Sequence, residues 1–116
     1  MPSATIIIAQ NDSAIAQALS NKLHSHFSEV IVAESALELR TLLLRHPKAR
    51  MAVLDLEVVN LEEVRELVRT FDDLTIVCTH RSPDNRMWTT ALDAGAIEFC
   101  RPDDIRSILR AKAAAV

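Results

Sequence analysis

At 116 residues the chain has the length of one domain, enough to bury about two-thirds of the surface its unfolded form exposes. Apolar residues make up 49% and charged residues 25%, which excludes a disordered chain, and a net charge of −3 with only three lysines argues against non-specific nucleic-acid binding. No apolar run approaches the roughly 18 residues of a membrane span and no basic, signal-like stretch opens the chain, so a cytosolic protein with no membrane partner is expected.

The first apolar run, 5–9, reads Thr-Ile-Ile-Ile-Ala, short and β-branched, as a strand covered on both faces must be. It ends in two amides, Gln10 and Asn11, followed by Asp12, which suits the N-cap of a helix. Ile15, Leu19 and Leu23 step by four along that helix. After the polar His24-Ser25-His26 comes a second strand, 29–33, and then Ser35-Ala36-Leu37-Glu38, a cap with an acid three residues later. The third run, 51–56, is Met-Ala-Val-Leu-Asp-Leu and delivers one carboxylate, Asp55, at the C-terminal end of a buried strand, where α/β folds place their chemistry. Asn60 and Glu63 repeat the capping pattern before Leu61, Val64, Leu67, Val68 and Phe71.

A fourth strand, 74–79, ends in Cys78-Thr79 with His80 next. Ser82-Pro83 predicts an N-cap with proline in the first helical position. On the helix that follows, Trp88 lies three residues before Ala91, on or beside the face that the small Ala91 and Ala94 turn to the sheet. Gly95, the only glycine, stands where that helix should end in a left-handed residue. The fifth strand, 97–100, leads into Arg101-Pro102-Asp103-Asp104, an opening like Ser82-Pro83, and then Ile105, Ile108, Leu109 and a helical tail to Val116. Five strand–helix units in strict alternation imply a parallel sheet with right-handed crossovers and helices on both faces, as a single domain over 1–116.

The same pass weighs against catalysis. No glycine-rich phosphate loop follows the first strand, and no nucleophile–His–Asp motif is present. Cys78 and Cys100 read as buried small hydrophobes rather than a disulfide. With His80 they offer zinc-type ligands, but without the close ligand pairs of a zinc site.

Three segments, Val53-Leu54-Asp55-Leu56, Ile76-Val77-Cys78-Thr79 and Ala94-Gly95-Ala96-Ile97-Glu98-Phe99 followed by Arg101-Pro102, resemble the receiver domain of bacterial response regulators. The resemblance spans essentially the whole chain. It implies a flavodoxin-like (βα)5 fold, a doubly wound five-stranded parallel sheet in the order 2-1-3-4-5, with two helices on one face and three on the other. It also implies roles: Asp55 as phosphoacceptor, Thr79 as the switch hydroxyl, Phe99 as the switch aromatic, and Arg101 in place of the lysine before the proline. Asp55, Thr79 and Arg101 are therefore expected to converge at the C-terminal edge of the sheet, with Gln10 and Asn11 beside them.

The departures are as specific. Gln10 and Asn11 stand where the family has an acidic pair that holds Mg²⁺, a hard ion that wants oxygen ligands and usually one or two carboxylates. These are degenerate metal positions, so no cofactor is expected, with Mg²⁺ only if Asp55 is phosphorylated. The loop Glu57-Val58-Val59-Asn60 lacks the family's proline and glycine. Two readings of Asp55 stand: an unmodified acid hydrogen-bonded at a strand end, or the phosphoacceptor of a conventional receiver. The function implied is a stand-alone receiver-like module in two-component phosphorelay signalling, acting by protein–protein interaction and not as an enzyme. Its partner would be a histidine kinase or another signalling protein, with homodimerisation open. Trp88 and Phe99 mark the expected partner surface. The alternative from another class is a small α/β enzyme using Asp55, Thr79, His80 and Arg101.

Overall fold

The computed structural model describes residues 4–114, so the last two residues of the expected tail, 115 and 116, lie outside the described residues. In chain order the elements are β1 (Thr5–Ala9), α1 (Ser13–Leu23), β2 (Glu29–Ala33), α2 (Ala36–Arg45), β3 (Ala49–Asp55), α3 (Leu61–Thr70), β4 (Thr75–Thr79), α4 (Asn85–Ala94), β5 (Glu98–Cys100) and α5 (Ile105–Ala114). The five strands form one parallel sheet in the order β2-β1-β3-β4-β5, as expected.

Continuous apolar strands are explained by the two layers they separate. On one face Ile6, Ile8, Met51, Val53, Val77 and Cys100 pack against Leu19 and Leu23 of α1 and Ile108 and Ala111 of α5. On the other, Ile7, Ala9, Ala52, Leu54, Ile76, Cys78 and Phe99 pack against Leu39 and Leu43 of α2, Val64 and Leu67 of α3, and Ala91 and Ala94 of α4. Two helices thus cover one face and three the other. Ile6, Ile7 and Ile8 are each 0% exposed, so neighbours in sequence serve opposite layers, and each contributes about 1.5–3 kcal/mol of burial.

The third strand starts two residues before the expected 51, because Arg50 interrupts its apolar run without ending the ladder. The β1–β3 register jumps from Thr5↔Ala49 to Ile6↔Met51, leaving Arg50 over as an extra, exposed residue that meets Asp73 at 2.9 Å.

Helix starts follow the side chains that can cap them. Asp12 Oδ1 accepts from the amides of Ala14 (3.0 Å) and Ile15 (3.2 Å). Asn60 and Glu63 close a reciprocal capping box on α3. On α2, Ser35 accepts from the Glu38 amide, but the Glu38 carboxylate reaches back to the amide of Glu34 rather than that of Ser35.

Two expected starts are corrected. The cap of α4 is Asp84, whose Oδ1 accepts from the Met87 amide at 2.8 Å, and not Ser82, whose own amide donates to His80 Nδ1. Likewise α5 begins after Asp104, which accepts from the Ser107 amide and hydroxyl, and Pro102 lies before the helix. In both places the helix begins instead at an aspartate just beyond the proline, whose side chain accepts from a free amide of the first turn. Those two bonds also hold the Asp104 carboxyl below the usual carboxylate range. At the other end of α4, Gly95 takes the left-handed conformation (φ 114°), as expected.

Candidate functional site

Parallel pairing sets Asp55 directly beside Thr79 at the ends of β3 and β4. Gln10 follows β1, the neighbour of β3 on its other side, and its backbone N–H donates to the Ala33 carbonyl at 2.9 Å. The fold therefore gathers three side chains that are 4%, 2% and 1% exposed: Gln10, Asp55 and Thr79. A buried carboxylate needs partners, and Asp55 has three. Thr79 Oγ1 donates to Oδ2 at 3.0 Å, Gln10 Nε2 donates to the same oxygen at 3.2 Å, and the Glu57 amide donates to Oδ1 at 2.9 Å. The Asp55 carbonyl also accepts from the amides of Val58 and Val59, which curls the loop back over the strand end.

The orientation of the Gln10 amide group is fixed by its other end. Gln10 Oε1 accepts from the Asp12 amide at 3.0 Å, a bond only the oxygen can make, so the NH₂ must face Asp55. This decides the fit to a divalent cation. Gln10 turns a donor toward Asp55 where an ion needs an oxygen, Asn11 is exposed, and the Asp12 carboxylate is committed to capping α1. Asp55 is then the one carboxylate left at these positions, and both its oxygens are already engaged by protein donors, so the residues as arranged do not fit the ion. Among the described residues no three His, Cys, Asp or Glu side chains group to hold a metal ion.

Arg101 is not among the partners of Asp55. It is exposed, and its Nε lies 3.5 Å from Asp103 Oδ1. It follows directly on the last residue of β5, and the carboxylate two residues on supplies a counterion while Asp55 is already surrounded by donors. Arg101 instead lines, with Lys22 and Arg81, an open groove of about 280 Å³ whose other walls include Ile15, Leu19, Pro102 and Ile105.

The charged pair beside the site is Glu57–Arg81, which sequence reading did not pick out. Arg81 Nε and a terminal nitrogen donate to the two Glu57 oxygens at 2.8 and 2.7 Å. The guanidinium holds the Glu57 carboxyl below the usual carboxylate range. A signal existed: each residue stands two positions beyond a member of the paired Asp55–Thr79 strand ends, with opposite charge. The pair straps the loop after β3 to the loop after β4, across the edge where Asp55 sits.

Phe99 is buried at 6% exposure in the layer of α2, α3 and α4, so as placed it offers no partner surface. Trp88 on α4 is 48% exposed, and the large apolar residue exposed near it in the chain's order is Ile97, 47% exposed, just before β5. The cysteines end on opposite faces, Cys78 in the three-helix layer and Cys100 in the two-helix layer, which rules out a disulfide between them. Burial pushes both thiols up to about 12, helped by the charge of Asp55 at Cys78 and of Asp104 at Cys100. His80 joins them only through its amide, which donates to the Cys100 carbonyl.

No protein-family model matches the chain, and no curated protein matches it. Solved structures do. A response regulator from Thermotoga maritima is 21% identical with a TM-score of 0.83, over 96% of this chain and 98% of that one. A response regulator receiver domain protein from Clostridium thermocellum is 20% identical with a TM-score of 0.84, over 97% and 93%. A response regulator from Burkholderia pseudomallei, solved with a phosphorylated aspartic acid, a calcium ion and citrate, is 20% identical with a TM-score of 0.82, over 94% of this chain and 66% of that one. With five parallel strands in the order 2-1-3-4-5 and helices split two and three, the chain has the fold of response regulator receiver domains.

Proposed function

We propose that the chain is a receiver-like module of two-component signalling that acts by binding another protein, with Asp55 held by protein hydrogen bonds rather than by a metal ion. The observation that carries this reading is the Gln10 amide, whose NH₂ lies 3.2 Å from Asp55 Oδ2. An internal donor thereby satisfies the oxygen that a cation would otherwise engage, and Thr79 is drawn to the same atom at 3.0 Å. The switch hydroxyl and its acid are thus held together in one arrangement, with Phe99 buried beneath α4. The partner would be a histidine kinase or another signalling protein, and the half-exposed Trp88 with Ile97 on the α4–β5 side is the surface offered for it.

A second reading keeps Asp55 as a regulated phosphoacceptor. It is favoured by the Thr79 hydroxyl on Oδ2 and by the similar Burkholderia pseudomallei protein, which carries a phosphorylated aspartic acid. Intact-mass analysis after incubation with acetyl phosphate, with and without Mg²⁺, separates the two. The expected outcome is no phosphoryl adduct in either condition. A Mg²⁺-dependent adduct that disappears in Asp55→Asn would establish the second reading and sink the first.

A further inference from the structure

α2 leaves a leucine stripe in water. Leu37 is 77% exposed and Leu44 72%, more than any other large apolar side chain among the described residues. They are seven positions apart, two helical turns, with the exposed Thr41 between them on the same side. The sheet-facing side of the helix is made by Leu39 and Leu43, with Leu42 partly buried, so the stripe takes no part in core packing. One flank is closed off by Arg40, bound to Glu66 of α3 at 3.3 Å.

The other flank is polarised along the axis. Glu38 lies in the first turn of α2 and Arg45 is its last residue, both exposed. Neither forms an ion pair among the described residues. Such an arrangement complements itself when reversed. A parallel neighbour would set Glu38 beside Glu38, whereas an antiparallel one sets acids beside bases at both ends.

We propose that α2 pairs antiparallel with α2 of a second copy of this chain, about a two-fold axis near Thr41. Leu37 of each copy then lies beside Leu44 of the other, and Glu38 of each faces Arg45 of the other. A helix of ten residues is about 15 Å long, so the contact is smaller than the roughly 1,200 Å² of stable interfaces. The dimer is therefore weak, with a dissociation constant on the order of 0.1–1 mM. α2 packs on β1 and β2, toward the opposite edge of the sheet from β5 and Ile97, so the pairing is independent of how Asp55 or Trp88 is used.

Sedimentation equilibrium over micromolar to millimolar protein tests this. The wild-type chain should move toward dimer mass. Glu38→Arg alone and Arg45→Glu alone should each weaken association about tenfold or more, by setting like charges together at both ends. An equimolar mixture of the two variants should regain it as a heterodimer, because reversed charges then meet reversed charges. That regain cannot come from misfolded chains, and circular dichroism of each variant checks the helix that Glu38 helps to cap. A wild-type chain that stays monomeric, charge reversals without effect, a mixture that fails to associate, or loss of the dimer in Trp88→Ala would each overturn the proposal.

Discussion

Oδ2 of Asp55 takes hydrogen bonds from Gln10 and Thr79, and Oδ1 takes one from the Glu57 amide, so an asparagine placed there must turn its NH₂ toward at least one donor. Turned toward Oδ2's partners, the NH₂ meets the Gln10 NH₂, which cannot flip without breaking the Oε1 bond to the Asp12 amide. Turned the other way, it meets the backbone N–H of Glu57. Leaving a buried donor unsatisfied costs about 1–3 kcal/mol, so Asp55→Asn should destabilise the fold by that amount in urea unfolding. Had Asp55 been crowded by carboxylates, removing its charge would stabilise; an increase in stability would refute the donor ring. The sequence made Asp55 conspicuous, as the lone acid ending a buried run. It could not show what Gln10 does, because an amide can present either end, and the Asp12 amide that settles the choice is positioned only once Asp12 caps α1.

At the scale of elements, the caps make the sharpest test of where helices begin. Asn60→Ala removes one side of a closed capping box and should cost about 1 kcal/mol, whereas Ser82→Ala should be close to neutral, since Asp84 is the cap of α4. A larger loss at Ser82 than at Asp84→Ala would return the start of α4 to the serine. The end of α4 is more constrained. A Cβ on Gly95 would sit 2.7 Å from Val68 Cγ2 with the backbone at φ 114°, so Gly95→Ala combines left-handed strain with overpacking and should cost about 2–4 kcal/mol. Strand number was legible because burial on both faces demands uninterrupted apolar runs, whereas the strand order came only with the resemblance to receiver domains. The edges were less so: Arg50 looks like an end because it is charged, yet a register jump lets it leave the sheet while the ladder continues.

Across the whole molecule, the two-layer plan puts one cysteine in each layer, and this gives the fold an alkaline limit. The sequence marked both as small buried hydrophobes, but not that adjacent strands would aim them to opposite faces. In the folded chain each thiol keeps its proton up to about pH 12, because burial penalises the thiolate. In the unfolded chain a thiol loses it near its ordinary value of 9.0. Between those limits the unfolded state binds fewer protons than the folded one, so stability must fall as pH rises, by about 1.4 kcal/mol per pH unit for each thiol. The window is unusually clean, since the chain has no tyrosine and few lysines to titrate in it. Urea unfolding between pH 8 and pH 11 should therefore show a decline that starts near 9 and steepens above it. The variant Cys78→Ala/Cys100→Ala should start less stable, because it leaves small cavities in both layers, yet hold its stability nearly level over the same range. Its curve should approach and then cross that of the wild-type chain as pH rises. Parallel curves would mean that the thiols ionise in the folded state as readily as in the unfolded one, and that the two layers are open to water at Cys78 and Cys100.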